Sequence, residues 1–558
     1  MAGRADLWYQ NAVIYAVDVD AFQDSDGDGV GDFQGLISRL DYLNHLGVDC
    51  LWLLPFYPSP NRDNGYDVMD YYGVDPRHGT LGDFVEFLRA ADERGIRVLV
   101  DLVANHTSDQ HPWFQRARVD PDSTYRDYYV WSTDPPQPDP GRGSVFPGEA
   151  GAGRVWTYDT EAGAYYYHRF YEFQPDLNLY NPAVREEIRK VVSFWLRLGV
   201  AGFRIDAATL MIEEKRPGNG QPEDPHELLR ELRAHARRHG GDVVLLAEAD
   251  DDPSRLGEYF AGGEFDRGDR SRPGGGVDLL LNFYLDAHLF LALATGRAGP
   301  VERALATLPP PPDGSGWANF LRNYDELNLG RLHRAEQEQV YERFAPDAHA
   351  RIYGRGIRRR LAPILDGDRD RIELALSLLF SMPGTPLLFY GDEIGMGEDL
   401  SLPGRTAVRT PMQWSDAENA GFSTAPASRL VRPVVDEGPF SYERVNVADE
   451  WADPASLLNF VEHLVGTRHE TPAIGRVDPE VVQTDAPSVF AHCYEGSAET
   501  VAMAHEFAGE PRTVTLDVGP KDASPMGLLG VGELRTVEVG VEVDLGPYGY
   551  RWLRVGDG

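Results

Sequence analysis

The sequence is poor in lysine. Its 558 residues include 53 lysines and arginines, and the lysines among them are Lys190, Lys215 and Lys521. Aspartate and glutamate together number 89, so the net charge is −36. A field of that sign repels nucleic acid and acidic membrane surfaces, which excludes them as partners, whereas a neutral substrate is compatible with it. The arginine bias fits a GC-rich genome or a salt-adapted surface, and an ordinary acidic protein is the simpler interpretation.

Cysteine and long apolar runs are also scarce. The two cysteines, Cys50 and Cys493, lie far apart, and Cys50 falls in an apolar run that indicates an inert core position. No apolar run reaches the roughly 20 residues that a membrane span needs. The stretch from Met1 to Tyr9 shows no charged segment followed by an apolar one, so no signal peptide is predicted. We therefore expect a cytoplasmic protein.

Short apolar runs alternate with amphipathic stretches, a pattern typical of β/α units. The eight candidate strands are Val13–Val19, Cys50–Pro55, Arg97–Val103, Gly202–Ala207, Val243–Ala249, Leu279–Leu285, Ala318–Asn323 and Pro386–Tyr390. The intervening stretches with helical spacing are Leu36–Leu46, Phe84–Arg94, Glu186–Leu198 and Glu227–Arg238. Eight strands with helices between them favour a closed parallel (β/α)8 TIM barrel over an open sheet.

The chain is too long for one ordinary barrel of about 250 residues. The predicted segments are 1–104 for the first part of the barrel, 105–176 for an inserted subdomain, 177–471 for the second part of the barrel and 472–558 for a C-terminal antiparallel β-sandwich. The insert after the third strand is rich in Trp, Tyr, Pro and Gly, and it is longer than a plain helical crossover. Alternation in Thr513–Val518 and Val537–Leu545 predicts the sandwich, and the proline-rich Leu308–Ser315 predicts a loop.

Four of the predicted strands end in polar groups that a buried strand would not otherwise tolerate. These groups are Asp101 with Asn105 and His106, Arg204 with Asp206, Glu248, and Asn323 with Asp325. In a parallel barrel the active site forms at the carboxyl ends of the strands. Residues two apart face the same side, so the Arg204 guanidinium should keep Asp206 ionised, as a nucleophile requires. Glu248 follows an apolar run, where poor solvation raises its pKa and suits it to act as an acid.

A single aspartate at a strand end is most often a cap or an ion pair, but four such ends on eight strands indicate a catalytic site. They stand in the motifs DLVANHTS, GFRIDA, LLAEA and FLRNYD, in that order. By these motifs the chain resembles glycoside hydrolase family thirteen, the α-amylase family, over nearly its whole length. The resemblance implies a retaining mechanism in which Asp206 attacks the anomeric carbon, Glu248 protonates the glycosidic oxygen and Asp325 binds sugar hydroxyls.

Segments such as GYDVMDYYGVDPRHGT and GRTAVRTPMQW are similar to trehalose synthases, the maltose–trehalose isomerases, and to related oligosaccharide α-glucosidases. The resemblance implies a substrate-binding set of Tyr66, Asp67, His106, Arg204, Asn323, Tyr324 and Arg409. In that set Asp67 and Arg409 grip the terminal glucose, Tyr66 stacks on its ring and His106 binds near its O6. Short saccharides such as maltose or trehalose are the expected substrates, and the likeness makes a homodimer plausible.

The sequence departs from the family at Tyr324, because the fourth region normally reads Asn-His-Asp. The segments Ala249–Pro253 and Leu279–Leu285 also differ from trehalose synthases, and they belong to the acceptor side. Two functions therefore stay open, intramolecular glucosyl transfer between maltose and trehalose, or hydrolysis and transglycosylation of short α-glucosides. A sugar-binding scaffold on an inactive barrel is disfavoured, because the three carboxylates and Arg204 are all present.

Calcium is the cofactor that the sequence indicates, and no organic cofactor is implied. The loop DSDGDGVGD places carboxylates at alternate positions, which are Asp24, Asp26, Asp28 and Asp32, and its glycines permit a tight turn. Read alone, a solvated acidic turn explains the loop almost as well. The resemblance implies calcium there, with the carbonyl of Val30 as a further ligand. It also implies a second calcium between barrel and insert, on Asn105, Asp176 and Glu213.

Overall fold

The structure is a computed structural model that describes residues 7–135, 143–147, 154–216, 222, 224–261, 276–496, 499–519 and 524–556. At its centre eight parallel strands close into a barrel, in which each strand pairs with the next one along the chain and the eighth pairs with the first. The strands are Ile14–Val17, Cys50–Leu53, Arg97–Leu102, Gly202–Ile205, Val244–Ala247, Leu279–Leu281, Gly316–Asn319 and Thr385–Phe389. The predicted TIM barrel is confirmed.

All eight strands end one to four residues earlier than predicted, and after the first and the sixth a helix begins almost at once. The first strand stops at Val17, and the short helix Val19–Phe22 follows it. The sixth stops at Leu281, because the Asn282 side chain accepts a hydrogen bond from the backbone N–H of Leu285 at 3.1 Å and caps a helix. Apolar residues resume directly after Asp18 and Asn282, so hydrophobicity alone does not locate these boundaries.

The barrel strands are surrounded by helices whose ends follow ordinary capping rules. The longer ones are Phe33–Ser38, Leu40–His45, Leu81–Asp92, Pro182–Leu198, Glu227–Ala236, Phe283–Thr295, Gly299–Thr307, Arg334–Phe344, Arg369–Ser381 and Leu457–His469. The single helix predicted over Leu36–Leu46 is two helices, which break at Arg39. Gly199, with φ of 115°, ends the helix before the fourth strand in a conformation that favours glycine.

An insert between the third and fourth barrel strands lies beside the mouth of the barrel, as predicted. It carries a helix, Pro112–Val119, and an antiparallel sheet of Trp131–Ser132, Ala164–Tyr167 and Trp156–Asp159. Isolated β-bridges join His106 to Asp176 and Tyr129 to Leu177. The insert is therefore attached to the chain that leaves the third barrel strand.

The C-terminal region is an antiparallel β-sandwich, as predicted. Its five-stranded sheet consists of Glu480–Val482, Val489–Glu495, Glu499–Glu506, Tyr550–Gly556 and Met526–Leu529. Its three-stranded sheet consists of Arg512–Leu516, Val541–Leu545 and Leu534–Thr536, and the two sheets share an apolar core. Within the described ranges, no helix has the length and apolar character needed to cross a membrane.

Trp552 joins this sandwich to the barrel. Its ring is fully buried, and its Nε1 donates a hydrogen bond to Ser377 Oγ at 2.9 Å on a helix of the barrel. We predict that Trp552→Ala lowers the free energy of unfolding by about 3–5 kcal/mol, because it leaves a cavity and removes one hydrogen bond of the Ser377 hydroxyl. Urea denaturation measures this, with Met526→Ala as the control at an exposed position of the same sheet. Equal unfolding curves for the two variants would contradict the prediction.

Candidate active site

One guanidinium lies at the centre of the site. Arg204, in the fourth barrel strand, is 1% exposed, and its Nη1 donates to Asp101 Oδ1 at 2.6 Å and to Asp206 Oδ1 at 2.7 Å. Its Nη2 donates to Glu248 Oε2 at 2.7 Å and to the Tyr324 hydroxyl at 2.8 Å. The guanidinium therefore connects groups from the third, fourth and fifth strands and from the loop after the seventh.

The backbone after Asp206 turns toward Glu248. Ala207 has φ of 46°, a left-handed conformation that costs a non-glycine residue roughly 1–3 kcal/mol. In this conformation the N–H of Ala207 donates to Glu248 Oε2 at 3.0 Å. The local strain thus fixes the side chain of Glu248 relative to that of Asp206.

Asp325 reaches the site from a loop rather than from a strand end. The seventh strand stops at Asn319, so the prediction that it extends to Asn323 is wrong. Asn323 Oδ1 accepts a hydrogen bond from the N–H of Asp325 at 2.9 Å and orients it. Asp325 Oδ1 accepts from Arg405 Nη1 at 2.5 Å and from Arg409 Nη2 at 3.0 Å.

The three carboxylates have different pKa values. Burial raises the pKa of Glu248 to about 7, opposed by Arg204 and assisted by Asp206. Burial also raises the pKa of Asp206 to about 6, with Arg204 again opposing the rise. For Asp325 burial acts in the same direction, but Arg405 and Arg409 outweigh it and the pKa falls below its ordinary value. The pKa of Glu248 rises in the predicted direction, whereas the pKa of Asp206 also rises, because burial outweighs the effect of the Arg204 guanidinium.

A cavity of about 220 Å³ opens onto these groups. Pockets for drug-sized ligands are roughly 300–1,000 Å³, so this space suits a short ligand rather than a polymer. The predicted residues in its wall are Tyr66, His106, Asp206, Glu248, Tyr324 and Asp325. Arg204 and Asn323 lie behind the wall and hold members of that set.

Two of the predicted binding residues, Asp67 and Arg409, lie outside the part of the wall that the described residues form. Asp67 is fully buried and accepts hydrogen bonds from Ser59 Oγ at 2.9 Å and from Arg62 Nε at 3.3 Å. Arg409 Nε donates to the backbone carbonyl of Tyr324 at 2.8 Å. Both side chains support the site from behind.

Asp63 and Arg405 form part of the wall instead, although the sequence motifs did not indicate them as binding residues. Arg405 Nη2 donates to Asp63 Oδ1 at 2.8 Å, and both line the cavity beside Asp325. Each stands four residues before the residue that the resemblance indicated. Arg405 falls within the motif GRTAVRTPMQW, whereas Asp63 lies two residues before the motif GYDVMDYYGVDPRHGT. Each segment thus offers two residues of the same type, and the residue pattern alone gives no signal that separates them.

Tyr324 and Tyr66 form one side of the cavity. Their rings stack with centroids 5.6 Å apart at an angle of 14°. The Tyr324 hydroxyl accepts from Arg204, whereas the Tyr66 hydroxyl donates to Asp101 Oδ2 at 3.2 Å. The tyrosine that replaces the family's histidine is therefore bonded to the central guanidinium.

His106 contributes a neutral ring to the wall of the cavity. Its Nε2 lies 3.1 Å from the carbonyl oxygen of Tyr66, and burial lowers its pKa. A neutral imidazole that donates to this carbonyl keeps the ring in a fixed orientation.

Residues of the insert cover the mouth of the cavity. The Arg405 guanidinium lies over the ring of Phe146, with its Cζ 4.2 Å from the ring centroid. Arg355 Nη1 donates a hydrogen bond to the carbonyl of Val145 at 3.0 Å. Phe170 and Phe283 add apolar surface near the same opening. The described part of the mouth is thus partly aromatic.

The acidic loop after the first strand has a geometry that suits a cation. Carboxylate oxygens of Asp24, Asp26 and Asp28 lie within 4.8 Å of one another. Asp24 accepts hydrogen bonds from backbone N–H groups and the Ser423 hydroxyl, and Val30 donates its N–H to Asp28 Oδ1 at 2.8 Å. Asp32 instead caps the helix Phe33–Ser38.

The residues predicted for a second calcium already contact positive side chains. Lys215 Nζ donates to Asn105 Oδ1 at 2.6 Å and lies 2.9 Å from Asp176 Oδ2. Glu213 Oε2 accepts from Arg169 Nη1 at 2.7 Å. The side-chain oxygens of Asn105, Asp176 and Glu213 are therefore already paired with positive side chains, and they do not form a site for a divalent ion.

Known proteins resemble the chain in sequence and fold. The model of the alpha-amylase catalytic domain matches residues 14–268 and 358–476, and that of a sucrose hydrolase-like C-terminal domain matches 499–554. The trehalose synthase of a Pimelobacter strain is 39% identical, covering 100% of this chain and 97% of that protein. The oligo-1,6-glucosidase of Parageobacillus thermoglucosidasius is 31% identical, covering 87% and 88%. The crystal structure of an alpha-amylase from H. orenii has a TM-score of 0.78 and 27% identity, covering 98% and 99%.

The pKa values predict a narrow, bell-shaped dependence of kcat/KM on pH. The family resemblance implies that Asp206 acts ionised and Glu248 acts protonated, so activity should fall as pH drops through about 6 and as pH rises through about 7. Because the two groups interact, the apparent values belong to the pair. Steady-state rates from pH 4 to pH 9, in buffers of constant ionic strength, measure the profile. A flat profile across neutral pH would contradict the assignment.

Proposed function

The chain belongs to the α-amylase family, and from this premise we propose that it is a retaining enzyme that transfers a glucosyl unit within short α-glucosides, interconverting maltose and trehalose. The observation that carries the proposal is the convergence of Asp206, Glu248 and Asp325 on one small cavity. The alternative is hydrolysis or transglycosylation of the same substrates.

In the proposed mechanism the carboxylate of Asp206 attacks the anomeric carbon while Glu248 donates its proton to the glycosidic oxygen. A covalent glucosyl-enzyme forms and the second glucose becomes the leaving group. Glu248, now deprotonated, removes a proton from an attacking hydroxyl, which belongs to the retained glucose in the isomerase and to water in the hydrolase. Asp325, held ionised by its two arginines, binds hydroxyls of the glucosyl ring.

Two observations favour isomerisation. Trehalose synthases are 39% to 41% identical over at least 98% of the chain, whereas the oligo-1,6-glucosidase is 31% identical. The aromatic ring of Phe146 and the hydrogen bond from Arg355 to Val145 lie at the mouth, where they would help to retain a released glucose and limit access of water.

Product analysis tests the proposal. Purified protein is incubated with maltose, trehalose, sucrose and isomaltose, and disaccharides are separated from free glucose. We expect maltose and trehalose to interconvert with little free glucose. Asp206→Asn should lower the rate by several orders of magnitude without unfolding the chain, whereas Asp92→Asn, at an exposed position, should not. Free glucose as the main product would support the alternative, and normal turnover by the Asp206 variant would overturn both.

We propose that Asp63 and Arg405 bind the terminal glucose, in place of Asp67 and Arg409. They line the cavity and present an ionised pair to it. We predict that Asp63→Asn lowers kcat/KM by roughly 10- to 100-fold through loss of charged hydrogen bonds to sugar hydroxyls. Asp67→Asn is the matched control, and it should affect the melting temperature more than kcat/KM. The reverse ranking would return the role to Asp67.

Calcium in the acidic loop remains part of the proposal, with Asp24, Asp26 and Asp28 as ligands and the carbonyl of Val30 beside them. The support is that the three carboxylates lie close together on a loop whose own backbone N–H groups donate hydrogen bonds to them. Calcium bound only to the folded state stabilises it. We predict that a chelator lowers the melting temperature of the wild type and leaves the Asp26→Asn, Asp28→Asn double variant unchanged. Equal sensitivity of the two proteins would contradict the site.

A homodimer and a cytoplasmic location stay predictions.

A further inference from the structure

The joint between barrel and insert has a buried cluster of polar groups around Lys215. Asn105 and Asp176 are both 0% exposed, and the N–H of Leu177 donates to the carbonyl of Asn105 at 2.9 Å. Together with the bridge between His106 and Asp176, this bond fastens the insert to the chain leaving the third barrel strand. A carboxylate buried at such a joint requires a cation.

Lys215 supplies that cation. It is 4% exposed, and its ammonium lies 2.9 Å from Asp176 Oδ2, 2.6 Å from Asn105 Oδ1 and 3.4 Å from the carbonyl of Asn105. The second carboxylate oxygen, Asp176 Oδ1, accepts from the backbone N–H of Arg169 at 3.2 Å. The ammonium is thus surrounded by carboxylate, amide and carbonyl oxygens, the ligand types that calcium takes.

The residue type is itself informative. Arginine supplies most of the positive charge of this chain, including the buried ion pairs of Arg204 and Arg405. A guanidinium is planar and presents a fork of donors, whereas an ammonium is a compact point charge with three donors. Of the other lysines, Lys190 is exposed at the surface and Lys521 falls outside the described residues. Lys215 lies in the buried joint, where three oxygens approach one point, an arrangement that suits a compact ammonium.

We propose that the ammonium of Lys215 is the permanent cation of this joint, and that it takes the position where the family resemblance implied a second calcium ion. A divalent ion placed among the same oxygens would lie within a few ångströms of the ammonium and be repelled in a poorly solvated interior. Glu213, the third predicted ligand, is paired with Arg169. The attachment of the insert is accordingly independent of calcium.

Melting temperatures of three variants test the proposal. In chelator, Lys215→Ala and Lys215→Met should melt roughly 5 °C or more below the wild type, because each leaves a buried carboxylate without its cation. The control Lys190→Ala, at an exposed lysine, should melt as the wild type does. Millimolar calcium should restore Lys215→Ala, which leaves room for an ion, and should not restore Lys215→Met, which fills that room.

The shift that calcium produces in Lys190→Ala measures the effect of the acidic loop and is subtracted from both Lys215 variants. If Lys215→Ala melts like Lys190→Ala in chelator, or if calcium restores it no better than it restores Lys215→Met, the proposal is overturned.

Calcium stoichiometry gives a second test that leaves Lys215 intact. The Asp26→Asn, Asp28→Asn double variant removes two carboxylates of the acidic loop and keeps the joint unchanged. Isothermal titration calorimetry with calcium chloride should detect no bound ion in this variant. One ion bound to it would show that the joint accepts calcium beside Lys215 and would overturn the proposal, whatever the folding of the other variants.

Discussion

The site depends on the shortage of positive charge around Arg204. One guanidinium serves three carboxylates, Asp101, Asp206 and Glu248, in a buried region. Because a single cation cannot balance three anions out of water, the cluster retains a proton near neutral pH. Glu248, with the highest pKa of the three, is the group on which that proton resides most often. The raised pKa of Glu248 thus reflects first its burial and then the excess of carboxylates over cations around it.

The other half of the cavity has the opposite balance. Asp63 and Asp325 are matched by Arg405 and Arg409, so Asp325 stays ionised although it is buried. The cavity therefore has one side, around Glu248, that carries an exchangeable proton, and another side, around Asp325, whose charges are fixed. The first suits bond cleavage and the second suits recognition of hydroxyl groups.

The barrel, its insert, its sandwich and the three carboxylates could be predicted, because each rests on a strong local pattern. Short apolar runs marked all eight strands, and polar groups at their ends marked Asp206 and Glu248. The choice between Asp63 and Asp67 could not be predicted, since the two lie four residues apart in one loop and only the path of that loop decides which side chain enters the cavity. The joint at Lys215 was also beyond the sequence, because it depends on a lysine that lies far along the chain from Asn105 and Asp176.

Closure of the barrel has a consequence for the order in which the protein matures. The first strand, Ile14–Val17, completes its pairing only with the eighth, Thr385–Phe389, and Arg405 lies beyond that strand. During translation the ribosome must release more than two thirds of the polypeptide before these partners meet. A nascent or truncated chain that stops before this point carries the acidic residues without the architecture that gives them their chemistry, so catalysis appears only after this late ring closure.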